Sequence, residues 1–235
     1  MPPPERLRAP AALALALVLA VVVAAAGIRL EMGVPGLRLL HRVAASLEVV
    51  AVLWLGWIAW RARADRPALF RAALLAIGLT VFLSVVGIAA GQSPPPAAAA
   101  ANLLGGLALA AVFAWTLGKA GKGNRGLTPI PASLVGLMLG IQLALGARLS
   151  IVERYAAALP VHALLAMVLV ALLGWAGLAR VGGTAGKALF ALALAAAIAG
   201  FTSLHYEYSA LAALVHAVAA VLLLAATAYA LGRGA

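Results

Sequence analysis

The chain has 235 residues, 66% of them apolar and only 10% charged, with a mean hydropathy of +1.12. Soluble domains are about 45–50% apolar and about a quarter charged, so these proportions exclude an ordinary soluble fold and indicate a chain solvated by lipid. A net charge of +11 would suggest a nucleic-acid partner in a soluble protein; here the basic residues are placed relative to a bilayer, and no nucleic acid is expected. The absence of cysteine excludes disulfides, thiolate metal sites, iron–sulfur clusters and cysteine nucleophiles, so any redox chemistry requires a bound cofactor.

A bilayer crossing takes roughly 20 apolar residues, and eight such runs follow one another: Ala11–Ile28, Leu40–Trp60, Ala68–Gly91, Ala98–Leu117, Ala132–Ala147, Val161–Leu178, Ala188–Leu204 and Ser209–Leu231. They predict an all-α polytopic membrane protein with eight transmembrane helices in two pseudo-equivalent four-helix bundles, residues 1–120 and 121–235. The fifth and seventh runs are short, which suggests less tilt or a partly re-entrant path. The first run, preceded by Arg6 and Arg8 and containing Ala24–Ala26, also has features of a cleavable signal peptide, although its apolar core is longer than usual for one.

With the N-terminus inside, the inner segments carry Arg6, Arg8, Arg61, Arg63, Arg66, Arg71, Lys119, Lys122, Arg125, Arg180, Lys187 and Arg233, twelve of the seventeen basic residues. This agrees with the positive-inside rule and predicts a multi-pass protein with both termini in the cytoplasm. Arg29, Arg38, Arg42, Arg148 and Arg154 remain on the outer side. Two of them can pair with Glu31 and Glu153, or they can hold an anionic ligand at the membrane surface, the role assigned here to Arg42, Arg148 and Arg154.

Histidines are few: His41 opens the second run, His162 the sixth, His216 lies in the first third of the eighth, and His205 precedes it in a loop. Thirteen residues after His41, His162 and His216 stand Trp54, Trp175 and Tyr229, and thirteen after Asn102 in the fourth run stands Trp115. Each even-numbered helix therefore carries His or Asn about 20 Å from an aromatic residue at its inner end, and the four polar positions share one depth. A lone intramembrane histidine often serves only as an interhelical hydrogen-bond donor. Two at matching depth on parallel helices, as His162 and His216 are, can supply both axial ligands of a haem iron. Glu48, seven residues after His41 and on nearly the same face, can line a proton route or hydrogen-bond a neighbouring carbonyl. Gln142 and Asn102 read as helix-packing polar contacts.

This layout, with "LLHR" at Leu39–Arg42, histidines at the outer ends of even helices and "GIQLALGA" at Gly140–Ala147, resembles the heme A synthase family across the whole chain. The resemblance implies oxidation of a methyl group of heme O to the formyl group of heme A. It implies His162 and His216 as ligands of a heme b cofactor in the second half, and His41 as an axial partner of the substrate haem in the first, with Glu48 also in the catalytic half. Asn102 would then lie across from His41 as a cofactor-side contact. An electron donor and cytochrome oxidase assembly partners are implied in the same way. Three features differ from the family: Asn102 stands where a histidine is expected, Arg38, Leu39 and Leu40 stand where a glutamate precedes the histidine of helix 2, and the outer loops are short. The alternative reading is a non-catalytic cytochrome b-type electron-transfer or oxidase-assembly protein, and a third is a transporter-like bundle without haem.

Overall fold

The computed structural model describes residues 5–91, 93–121, 129–151, 158–206 and 209–234. Among these the chain forms eight long helices and no strand: α1 (Glu5–Arg29), α2 (Leu37–Arg61), α3 (Pro67–Ala90), α4 (Pro96–Lys119), α5 (Pro129–Ile151), α6 (Ala158–Ala176), α7 (Gly183–His205) and α8 (Ala210–Gly234). All eight are long and apolar enough to cross a membrane. The protein is an all-α polytopic membrane protein, because only helices that satisfy their own backbone hydrogen bonds can stand in hydrocarbon.

The helix starts follow local chemistry. Pro67 and Pro96 each occupy a first helical position, where a missing N–H costs nothing. Gly36, at φ +81°, turns the chain into α2, and Gly182, at φ +67°, ends a five-residue π-helical extension of α6 at Gly177–Val181. The fifth and seventh helices are not short: α5 and α7 are each 23 residues long. Their first turns hold Pro, Ser, Gly, Thr and Lys residues that hydropathy discounts but that continue the helix past the apolar run. His205 is likewise the last residue of α7 rather than part of a loop.

Small residues fill the interior. Ala11, Ala14, Ala51, Ala73, Ala76, Ala110, Ala114 and Ala176 are buried, whereas Leu53, Trp54, Trp57, Val85, Ile88 and Trp175 face outward. Lipid solvates large apolar side chains as well as protein does, so association depends on close backbone approach and favours alanine and glycine inside. The arrangement α1–α2–α3–α4 closes on itself, and α5–α6–α7–α8 repeats it. α1 contributes Leu7, Ala11, Ala14, Val18 and Val22 to the largest core cluster.

The two rings meet chiefly along α4 and α8. A Cβ on Gly118 would strike the carbonyl oxygen of Tyr229, and a Cβ on Gly232 would strike that of Trp115. A shift of 114 residues carries Asn102, Trp115 and Gly118 onto His216, Tyr229 and Gly232. The two contacts are therefore the same contact seen from either side of a pseudo-two-fold axis. At this end of the bundle Arg63, Arg180 and Arg233 lie over the rings of Trp60, Trp175 and Tyr229 at 4.9, 5.4 and 5.9 Å, pairing interfacial aromatics with cations. Trp54 and Trp175 face outward as belt residues do. Trp115 and Tyr229 instead pack into the α4–α8 seam.

Candidate functional site: paired histidine positions at one end of the bundle

Each histidine of an even helix is held by the residue twenty positions before it, on the preceding helix. His41 Nδ1 lies 3.2 Å from the Val21 carbonyl oxygen, His216 Nδ1 lies 2.9 Å from that of Ala196, and His162 Nε2 lies 3.3 Å from Gln142 Nε2. In His41 and His216 the Nδ1–H donates to a backbone carbonyl, which leaves the Nε2 lone pair available as an acceptor or metal ligand. In His162 the engaged nitrogen is Nε2 and the buried Nδ1 has no hydrogen-bond partner, as is also true of Gln142 Oε1.

One helical turn beyond the residue at minus twenty stands a small residue at minus sixteen, against which the ring lies. A Cβ on Gly146 would come within 3.2 Å of His162 Cε1, and one on Gly200 within 3.0 Å of His216 Cε1. The equivalent residue for His41 is Ala25, which lines the cavity described below. A small residue there lets the Cε1 corner of the ring come up against the neighbouring helix.

In the second half His162 and His216 face each other with ring centroids 6.3 Å apart and planes at 84°. A metal–imidazole bond is about 2.0–2.1 Å and a ring nitrogen lies about 1.2 Å from the ring centre, so one metal held axially between two imidazoles sets the centroids about 6.4 Å apart. The observed spacing fits, and rotation about the metal–nitrogen axis accommodates perpendicular planes. Among the described residues no group of three or more His, Asp or Glu side chains is placed to hold a metal ion. A two-ligand centre whose remaining ligands come from the cofactor, as in haem, is the metal chemistry this pair fits.

In the first half, His41 and Asn102 line a half-open cavity of about 740 Å3 among α1–α4, within the roughly 300–1,000 Å3 of typical ligand pockets. Its walls are mainly apolar, with Val18, Val22, Val49, Leu83, Leu103 and Leu109 among them. Arg29, Arg38 and Arg42 converge at the histidine end, and Glu48, Thr80 and Ser84 lie farther in. Glu48 is thus not exposed to lipid but is 5% exposed inside the protein, with Oε1 unpartnered. The cavity accepts an amphiphile with an anionic end, a flat or bulky apolar body and a group that meets the His41 imidazole.

Of the sequence-predicted residues, His41, Arg42, Glu48 and Asn102 come together in this cavity, and His162 and His216 come together in the second half. Arg148 stands in the last turn of α5, two residues past the Gly146 that backs His162. Arg154 lies outside the described residues. His205 is exposed and stacks edge-on against Tyr206, with centroids 5.1 Å apart. Arg29 and Arg38, read from the sequence only as outer-side charges, join the cavity, as do Thr80 and Ser84, which were not singled out. Gln142, read as a packing contact, positions a site histidine. The chain matches no protein-family model and no curated protein sequence.

Proposed function

We propose that the protein is a heme A synthase-like haem oxidoreductase of the bacterial inner membrane, with the histidine end outward, and that its two halves have different tasks. His162 and His216 hold heme b through its iron, with Gln142 and the Ala196 carbonyl orienting the rings and Arg148 near the opening for a propionate. A haem held by these two residues would supply one-electron transfer from an external donor. The observation that carries this half of the reading is the 6.3 Å separation of the two imidazoles.

The first-half cavity receives the substrate, heme O. His41 meets the iron, Arg29, Arg38 and Arg42 take the propionates through charge-assisted hydrogen bonds, and the apolar walls exclude water from the macrocycle. Asn102, a poor iron ligand across from His41, leaves one axial position open where a second histidine would close it. Glu48 is the buried carboxyl of this cavity and the group able to exchange a proton with its occupant. The methyl group to be oxidised toward heme A would lie among the apolar walls of this cavity.

The alternative, a non-catalytic cytochrome b-type or oxidase-assembly protein, draws on the same Asn102, since a half with a single good iron ligand can also be a half that no longer reacts. One set of preparations separates the two. Haem is extracted from the purified protein, its type identified by chromatography and pyridine haemochrome spectra, and spectra recorded for His162→Ala, His216→Ala and His41→Ala. The expected result is heme b together with heme O or heme A, loss of the low-spin spectrum in the first two variants, and retention of it in the third with loss of methyl oxidation. Heme b alone would favour the alternative, and loss of the only haem signal in His41→Ala would overturn the assignment of the halves.

A further inference from the structure

The cavity of the first half has a polar floor that neither its arginine mouth nor His41 accounts for. Glu48 Oε1 and Thr80 Oγ1 are both buried without a hydrogen-bond partner, and both residues line the cavity. They stand at matching depth. Glu48 is eleven residues along α2 from Leu37, and Thr80 is ten residues back from Ala90 at the corresponding end of α3, so each lies roughly 15–17 Å below the histidine end. Along α2, Glu48 is seven residues from His41, or roughly 10 Å farther in.

Buried polar atoms are nearly always paired, and an unpaired one in a ligand cavity marks a hydrogen bond that the ligand completes. A carboxyl oxygen accepts and a threonine hydroxyl accepts or donates, so the pair is suited to a hydroxyl group, which does both. The opposite end of the cavity is cationic. A ligand that satisfies both ends carries its carboxylates on one edge and a hydroxyl on the other.

Resting on the haem reading above, we infer that Glu48 and Thr80 select a macrocycle bearing a hydroxyl group on the edge remote from its carboxylates, with Glu48 accepting that hydroxyl's hydrogen bond and Thr80 flanking it. The pair acts on specificity: a site built to hydrogen-bond a hydroxyl leaves its own polar atoms stranded when the hydroxyl is missing.

The test uses the full chain in detergent micelles and two metal-free porphyrins, which the His162–His216 pair cannot ligate through iron. Protoporphyrin IX carries vinyl groups opposite its carboxylates, and haematoporphyrin IX carries hydroxyethyl groups there. Affinities are read by fluorescence titration. The unaltered protein should bind haematoporphyrin about tenfold more tightly or better, the increment of a hydrogen bond to a polar or charged acceptor. Glu48→Leu and Thr80→Val should reduce that preference, read as the ratio of the two affinities in each variant, to about threefold or less. Glu48→Gln, which keeps an acceptor carbonyl, should retain most of it. Glu48 Oε1 and Thr80 Oγ1 have no hydrogen-bond partner in the protein to lose, so the fold is expected to survive both changes. Equal affinity for the two porphyrins, or an undiminished preference in Glu48→Leu, overturns the inference and leaves the haem reading standing. Failure of haematoporphyrin to bind overturns the inference, and failure of heme b and heme O themselves to bind overturns the haem reading as well.

Discussion

Replacing Gly200 by alanine tests whether the ring-to-helix contact sets the ligand geometry of His216. The new Cβ would lie 3.0 Å from His216 Cε1 and 3.2 Å from Nδ1, where unstrained carbon contacts sit at about 3.5–4.0 Å, so the ring must retreat by about 0.5 Å. That retreat strains the 2.9 Å hydrogen bond from Nδ1 to the Ala196 carbonyl. It also exceeds the tolerance of about 0.2 Å within which a metal–ligand distance stays favourable. Disturbing an orienting partner of this kind typically lowers metal affinity by about 10–100-fold. Haem titration of the purified protein, with the low-spin absorption spectrum as readout, measures it. Gly146→Ala should do less harm, because its Cβ would be 3.2 Å from His162 Cε1, and Gly140→Ala should do none, because nothing lies within 4 Å. Alanine is the better helix former by about 1 kcal/mol, so thermal stability should hold or rise while haem affinity falls. Tight loading and an unchanged spectrum in Gly200→Ala, or equal damage in Gly140→Ala, would refute the reasoning.

The triple change of Arg29, Arg38 and Arg42 to glutamine should lower haem occupancy of the first half by about tenfold while membrane insertion is unchanged, since exposed charge pairs each contribute only about 0.2–1 kcal/mol and act jointly here; occupancy equal to the unaltered protein would exclude these residues as carboxylate ligands. At the seam between the halves, Gly118→Ala or Gly232→Ala drives a methyl group into a backbone carbonyl of the partner helix, an overpacking expected to cost about 1–3 kcal/mol and several degrees of melting temperature in detergent. A melting temperature within about one degree of the original would mean that the seam opens freely.

The apolar runs made the eight helices legible because hydropathy reports burial in lipid directly. Their ends were less so: the first turns of α5 and α7 are polar or proline-rich, and a helix continues through such residues at an interface without any apolar signal. The histidines were legible as a set because the offset of thirteen residues to an aromatic repeats four times. What holds them was not. Val21 and Ala196 act through their carbonyl oxygens, and nothing about a valine or alanine side chain announces that. The offset of twenty, common to all three histidines, becomes visible only once one of the bonds is known. The cavity was legible only in part, since Arg29 lies at the end of α1 and Arg38 at the start of α2. Their convergence depends on how the connecting turn, with Gly33 at φ +66° and Gly36 at φ +81°, sets one helix against the other.

The pseudo-two-fold axis sharpens the contrast between the halves. Both rings place an even-helix residue of the His/Asn register opposite another, and the reciprocal Gly118–Tyr229 and Gly232–Trp115 contacts show that the frame carrying these positions is the same on either side. The seam is alike on either side, whereas α6 is 19 residues long with a π-helical extension where its counterpart α2 is a helix of 25. Where the frame holds His162 and His216, two imidazoles span the interval to a 6.3 Å centroid spacing, which leaves room for one metal atom between them. Where it holds His41 and Asn102, the shorter amide is joined by Ala25 in place of a glycine and by three arginines at the mouth, and a cavity of about 740 Å3 lies between the helices. One half thus presents two facing imidazoles, and the other a single imidazole at the edge of a cavity. On the function proposed above, the division between a resident cofactor and a transient substrate would rest on Asn102, Ala25 and the three arginines together, set in a duplicated frame.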